Sequence, residues 1–173
     1  MEKESNVAFI DGQNLHLGTT QNGWKVDLRK FRIYLKDKYH ADEAYYFLGY
    51  ISEEQQDLYK NLQKSGFIVL FREHSANLKA NKKGNVDTDI VFEVMKALIE
   101  RKDFHKVLLV SGDGDYKKLI DYLITKERLK KILFPNRQFA SSLYKSLAPT
   151  YFDHLDTEAI QAKIAYIQKK RSP

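Results

Sequence analysis

An apolar run that stops in an acidic turn and resumes with helical spacing, VLLVSGDGDYKKLI at residues 107–120, constrains this chain more than any other stretch. Val107, Leu108, Leu109 and Val110 read as a strand buried on both faces, because a short branched-aliphatic run bounded by Gly suits a covered parallel strand. Tyr116, Leu119, Ile120 and Leu123 then recur at intervals of three and four, so a helix begins near Asp115. Asp113 and Asp115 therefore stand on a strand-to-helix turn, at the edge where open parallel sheets bind ligands. Such a turn can also be purely structural, since Asp-Gly is common turn chemistry and Asp115 could cap the helix. A second stretch, VAFIDGQN at residues 7–14, repeats the pattern and leaves Asp11 at another strand end.

The segments between them alternate in kind. After a strand at residues 6–10, GQNLHLGTTQNGW reads as a long polar connection whose Trp24 is either a base-stacking group or a lid over the core. Leu28, Phe31, Ile33 and Leu35 suggest a helix capped by Asp27, and the aromatic run at 44–51 a second strand. Ser52 opens a helix that turns Leu58, Tyr59 and Leu62 inward and ends at Ser65-Gly66, and FIVLF at 67–71 is a third strand. Strand, helix, strand, helix, strand is the crossover pattern of a parallel α/β sheet.

A polar segment at residues 73–85 follows, carrying Lys79, Lys82 and Lys83 as candidate phosphate contacts. In the next helix, at 85–99, Ile90, Val91, Val94, Met95 and Leu98 form one apolar stripe. Asp87 precedes Ile90 by three, Val91 by four and Val94 by seven, so it projects from the buried face; Asp89 is turned about 200° away. A carboxylate there is costly unless it is paired, caps its helix or binds a metal. Glu93 flanks the stripe. Further on, KKILF at 130–134 is a fifth strand, 141–147 a short helix with Leu143 inward, and 150–155 a last edge strand. Arg128, Lys130, Lys131 and Arg137 form a basic cluster, either a backbone guide or a solvated face.

Length and composition set the frame for these pieces. With 173 residues, 43% hydrophobic, the chain buries one core, so we expect a single domain over residues 1–155 and a helical extension at 156–173. The extension, with Ile160, Ile164 and Ile167 at helical spacing, packs on its own domain or on a second subunit, which leaves a homodimer open. No cysteine is present, so disulfides and thiolate zinc sites are excluded, and the five scattered histidines leave oxygen ligands and a hard cation for any metal. No apolar stretch reaches membrane-spanning length and MEKESN lacks the marks of a secretion signal, so the cytoplasm is the expected location, with no membrane partner. The net charge of +6 suits a polyanionic partner.

In the strand order 3-2-1-4-5, the ends of strands 1 and 4 are neighbours, so Asp11 meets Asp113, Asp115 follows on the turn, and Asp87 arrives from across the cleft. Two ionised carboxylates about 4 Å apart repel by roughly 4 kcal/mol at an effective dielectric near 20. Several such pairs rival the ~5–15 kcal/mol of a typical folded domain, and a bound divalent cation resolves the conflict.

FIDGQNL, KKGNVDTDIVFEVM and VLLVSGDGDYKKLI, in that order, resemble the signature blocks of the NYN domain, a branch of the PIN-like nucleases that includes LabA-like bacterial proteins. YYFLGY, KSGFIVLF and SSLYKSLAPTYFDHL extend the similarity over residues 5–155. The resemblance implies a three-layer α/β/α, PIN-like (Rossmann-like) fold with a mostly parallel sheet, and a Mg2+- or Mn2+-dependent ribonuclease. It implies a catalytic and metal-binding set of Asp11, Asp87, Asp113 and Asp115, with Asn14 beside it. Ser111, Lys117, Lys82 and Lys83 are the further residues expected against an RNA substrate. Two other functions fit the same residues: an RNA-binding or adaptor module with little or no turnover, and a phosphatase acting on nucleotides.

Overall fold

Strand β1 (Asn6–Asp11) is buried along its whole length and lies at the middle of a six-stranded sheet. It pairs in parallel with β2 (Ala41–Leu48) on one side and β4 (Val107–Val110) on the other. Outside these lie β3 (Ile68–Phe71), β5 (Leu129–Phe134) and β6 (Phe152–His154), giving the order β3-β2-β1-β4-β5-β6 with every pair parallel. The computed structural model describes residues 4–73 and 86–168, and Lys79, Lys82 and Lys83 lie outside the described residues.

Side chains alternate across β1, so each helical layer receives its own set. Ala8 and Ile10 face α1 (Gly12–Thr20), α2 (Leu28–Tyr39), α3 (Gln56–Ser65) and α6 (Glu158–Ile164), in a core with Leu15, Phe31, Leu35, Leu62 and Ile164. Val7 and Phe9 face α4 (Asp87–Glu100) and α5 (Lys117–Thr125), in a core with Ile90, Val94, Ile120 and Leu123. The result is the three-layer α/β/α fold. Full burial of a side chain such as Phe31 or Leu35 contributes about 1.5–3 kcal/mol, so α2 is held chiefly by its inward face.

Several elements differ from their sequence reading, each for a physical reason. Residues 12–20 are a helix rather than a long connection. Gly, Asn and Thr are poor helix formers, but Asp11 caps the first turn, Leu15 is buried, and the Thr19 and Thr20 hydroxyls donate to carbonyls one turn back. Trp24 belongs to the core and is no base-stacking group, being only 8% exposed. The second strand starts at Ala41 and stops at Leu48, leaving Ile51 exposed. At residues 142–144 there is a single 3-10 turn, which buries Tyr144 and exposes Leu143.

The four cations read as a basic cluster are each engaged by the chain itself. Arg128 stacks on Phe104, while Lys130 pairs with Glu4, Lys131 with Asp153 and Arg137 with Asp156. Helix α6 packs against α2, where Asp27 donates its backbone N–H to Ile164 O at 2.8 Å. Among the described residues no helix is long and apolar enough to cross a membrane.

Candidate active site

Asp11 is the last residue of β1 and the cap of α1, its Oδ1 accepting from Asn14 N at 3.1 Å. Gly12 follows because the chain turns against β2: a Cβ there would lie 2.6 Å from Phe47 O and 2.5 Å from the Tyr46 ring. Asn14 Oδ1 in turn accepts from Gly112 N at 2.9 Å, which ties α1 to the turn after β4.

That turn is held by its own side chains. Ser111 Oγ accepts from Asp113 N at 3.1 Å, and Asp113 Oδ1 accepts from Asp115 N at 3.0 Å. Asp113, not Asp115, is therefore the capping residue of the turn that leads into α5. Tyr144 donates to Asp113 O at 2.6 Å and braces the turn from the β5–β6 side.

Asp87 enters as the first residue of α4, in the same helical layer as α5, and it is 8% exposed. It does not cap its helix, since Val86 occupies that position without a side-chain bond. Tyr116, fully buried in the core between the sheet and the α4/α5 layer, places its hydroxyl 3.0 Å from Asp87 Oδ1 and 3.0 Å from Asp11 Oδ2.

Carboxylate oxygens of Asp87, Asp113 and Asp115 lie within 4.8 Å of one another, and Asp11 stands behind them, linked to Asp87 through Tyr116. Opposite oxygen ligands lie about 4 Å apart on Mg2+ and about 5 Å apart on a larger cation, so this all-carboxylate set fits a hard divalent ion. Asp11, Asp87 and Asp113 open onto a cleft of about 300 Å³ lined also by Gln13, Asn14, Leu17 and Val86. Burial raises the Asp11 carboxyl above its usual range, and the nearby Asp113 charge adds to the rise. The Tyr116 hydroxyl is likewise pushed up, first by burial and then by the charges of Asp11 and Asp87, so it remains a donor.

The NYN domain family model matches residues 6–155. The chain belongs to the NYN domain family. The cyanobacterial protein LabA ("low amplitude and bright") of Synechococcus elongatus is 24% identical over 174 residues, which span 95% of this chain and 88% of that relative. A crystal structure of a protein of unknown function from Vibrio parahaemolyticus superposes with a TM-score of 0.74 at 21% identity, covering 95% of this chain and 97% of the other. That likeness supports the fold alone. NYN domains belong to the PIN-like nuclease superfamily, and here the acidic cluster stands at the carboxyl edge of the sheet.

Within this NYN domain, Asp87, Asp113 and Asp115 converge, and Asn14 and Ser111 lie beside them. Lys117 is drawn away from the cluster by a 2.6 Å ion pair with Asp121 one turn along α5. Lys82 and Lys83 lie outside the described residues, and Asp89 and Glu93 are half-buried and outside the carboxylate cluster. Reading the sequence missed the hydroxyls of Tyr116 and Tyr144. The signal was available at Tyr116, a phenol on the inward stripe one residue after Asp115, because a buried tyrosine hydroxyl needs a partner.

Proposed function

We propose that this protein is a ribonuclease that hydrolyses RNA phosphodiester bonds at the Asp87, Asp113 and Asp115 cleft with Mg2+ or Mn2+. The observation that carries this reading is the meeting of three carboxylates from two separate elements within 4.8 Å. Asp87, Asp113 and Asp115 would hold the cation, and Asp11 adds its charge to the same cleft. A divalent cation bound there supplies the positive charge that activates water for attack at phosphorus and neutralises charge on the phosphoryl oxygens.

The remaining duties fall to the chain. Tyr116 fixes the Asp87 carboxylate at the mouth of α4, and the backbone N–H of Asp115 fixes that of Asp113. Asn14 commits Oδ1 to Gly112 N, so its amide Nδ2 is left to donate to a phosphate oxygen in the cleft that it lines. RNA as the substrate rests on the family resemblance and on a basic chain of net charge +6.

The test is incubation of single-stranded and structured RNA, and of matching DNA, with Mg2+, Mn2+ or chelator, using wild type and Asp113→Asn. Cleavage of RNA that needs the cation and drops at least about 100-fold in the variant is expected. RNA retention in chelator with no cleavage under any divalent ion would instead favour a binding module. Phosphate release from nucleotides with RNA intact would favour a phosphatase.

A further inference from the structure

A second hollow of about 230 Å³ adjoins the acidic cleft, and the two share Asn14 and Leu17 as a common wall. Asn14, Leu17, Gly18 and Gln21 follow one another at i, i+3, i+4 and i+7, so a single face of α1 runs past the carboxylates and along this hollow. Phe139 lines it too.

Two features make the hollow a built feature and not an accident of a loop. Helix α1 packs closely on the segment after β5 that lines it, since a Cβ on Gly18 would lie 2.8 Å from Pro135 Cβ. The loop bearing Phe139 is pinned at both ends. Asn136 donates through Nδ2 to Gly18 O at 3.0 Å and accepts through Oδ1 from Gln138 N at 3.0 Å, and Ser141 N donates to Gly112 O at 2.9 Å on the acidic turn. Phe139 is nevertheless 61% exposed, and Leu17, which lines the same hollow, is 46% exposed. A single exposed hydrophobe is common, but two lining one hollow beside the acidic cleft are the makings of a stacking platform.

We propose that this hollow is a nucleobase subsite, in which Phe139 and Leu17 sandwich one unpaired base of the strand whose phosphate occupies the acidic cleft. The proposal rests on the nuclease reading above and adds to it a requirement for single-stranded substrate next to the scissile bond. The Gln21 side-chain amide, on the same face of α1, is the polar group that meets the edge of the base.

The experiment compares wild type, Phe139→Ala and Phe139→Trp on single-stranded oligoribonucleotides in which one base at a time is replaced by an abasic residue. Phe139 packs too little of its surface for its loss to unfold the chain, and circular dichroism checks this for each variant. In wild type, removal of one base next to the cleaved phosphate is expected to slow cleavage about tenfold, as the loss of one stacked base does. Phe139→Ala is expected to slow the intact substrate by the same factor and to be indifferent to the abasic residue at that position, with Phe139→Trp restoring the rate. Cleavage by Phe139→Ala at the wild-type rate, or equal cleavage of duplex and single strand, overturns the subsite while leaving the nuclease intact. Absence of RNA cleavage by wild type overturns both.

Discussion

Tyr116 and Asp87, 29 residues apart, meet at 3.0 Å in the space between α4 and the turn after β4. The same hydroxyl is 3.0 Å from Asp11 Oδ2, so a single phenol proton stands between two buried acids, one at the end of β1 and the other at the start of α4. This contact fixes the depth at which Asp87 presents itself to Asp113 and Asp115.

Tyr116→Phe keeps the ring in the core and removes only that proton. Asp11 Oδ2 would then keep only the long 3.5 Å contact from Ser111. Loss of a donor to buried carboxylates costs about 1–3 kcal/mol, which lowers the melting temperature of a domain of this size by several degrees. Thermal denaturation of the variant against wild type in metal-free buffer checks this. An unchanged melting temperature would show that this donor contributes nothing to stability.

Cation binding is expected to show as stability independently of turnover. A ligand at 100 times its dissociation constant stabilises by about 2.7 kcal/mol, or roughly 5–10 °C here. Mg2+ or Mn2+ should therefore raise the melting temperature of wild type and leave that of Asp113→Asn nearly unmoved. Asparagine can still accept from Asp115 N, so the variant keeps the turn while losing a charged ligand. Equal shifts in both proteins would place the ion elsewhere.

The architecture was legible in the sequence because its strands are short, apolar and bounded by glycine or acid, as at 107–110, where reading and structure coincide. Asp87 was legible too, since its spacing from Ile90 and Val94 already put it on the buried face of α4. What hid α1 was composition: its Gly, Asn and Thr residues suit a loop, and the helix is held by the Asp11 cap and the burial of Leu15, while the threonine hydroxyls find partners on carbonyls one turn back. Leu143 and Tyr144 show the limit of periodicity over a few residues, where one 3-10 turn reverses which neighbour is buried.

The raised Asp11 carboxyl makes stability depend on pH in a definite direction. Burial, then the Asp113 charge, lifts it above its ordinary 3.8, against the opposing hydrogen bonds from Asn14, Tyr116 and Ser111. Between 3.8 and the raised value the folded state holds a proton that the unfolded chain has released, so stability falls as pH rises through that window. Above the raised value the penalty is complete, and below 3.8 it is absent. Asp11→Asn removes it while keeping an acceptor for Asn14 N. In metal-free buffer the variant should melt above wild type at alkaline pH, and the two curves should converge as pH falls toward 3.8. A gap that is constant with pH would mean that the Asp11 charge is not the cause.

Gly12 poses a contest between two effects of opposite sign. Alanine is the better helix former by about 1 kcal/mol at an interior position, and Gly12 is the first residue of α1, so propensity alone favours Gly12→Ala. The added Cβ, however, would lie 2.6 Å from the backbone oxygen of Phe47, at the carboxyl end of the paired strands β1 and β2. Overpacking of this kind costs about 1–3 kcal/mol, and the contact is with backbone, so sterics win. Gly12→Ala should lower the melting temperature and, by shifting Asp11 and Asn14 together, slow RNA cleavage more than Gly23→Ala, a control where a Cβ meets nothing within 4 Å but a positive φ of 76° must be strained. Melting curves and cleavage rates for the two variants side by side decide it: a Gly12→Ala protein as stable and as active as wild type would mean that α1 can slide away from β2, and with it the carboxylate of Asp11.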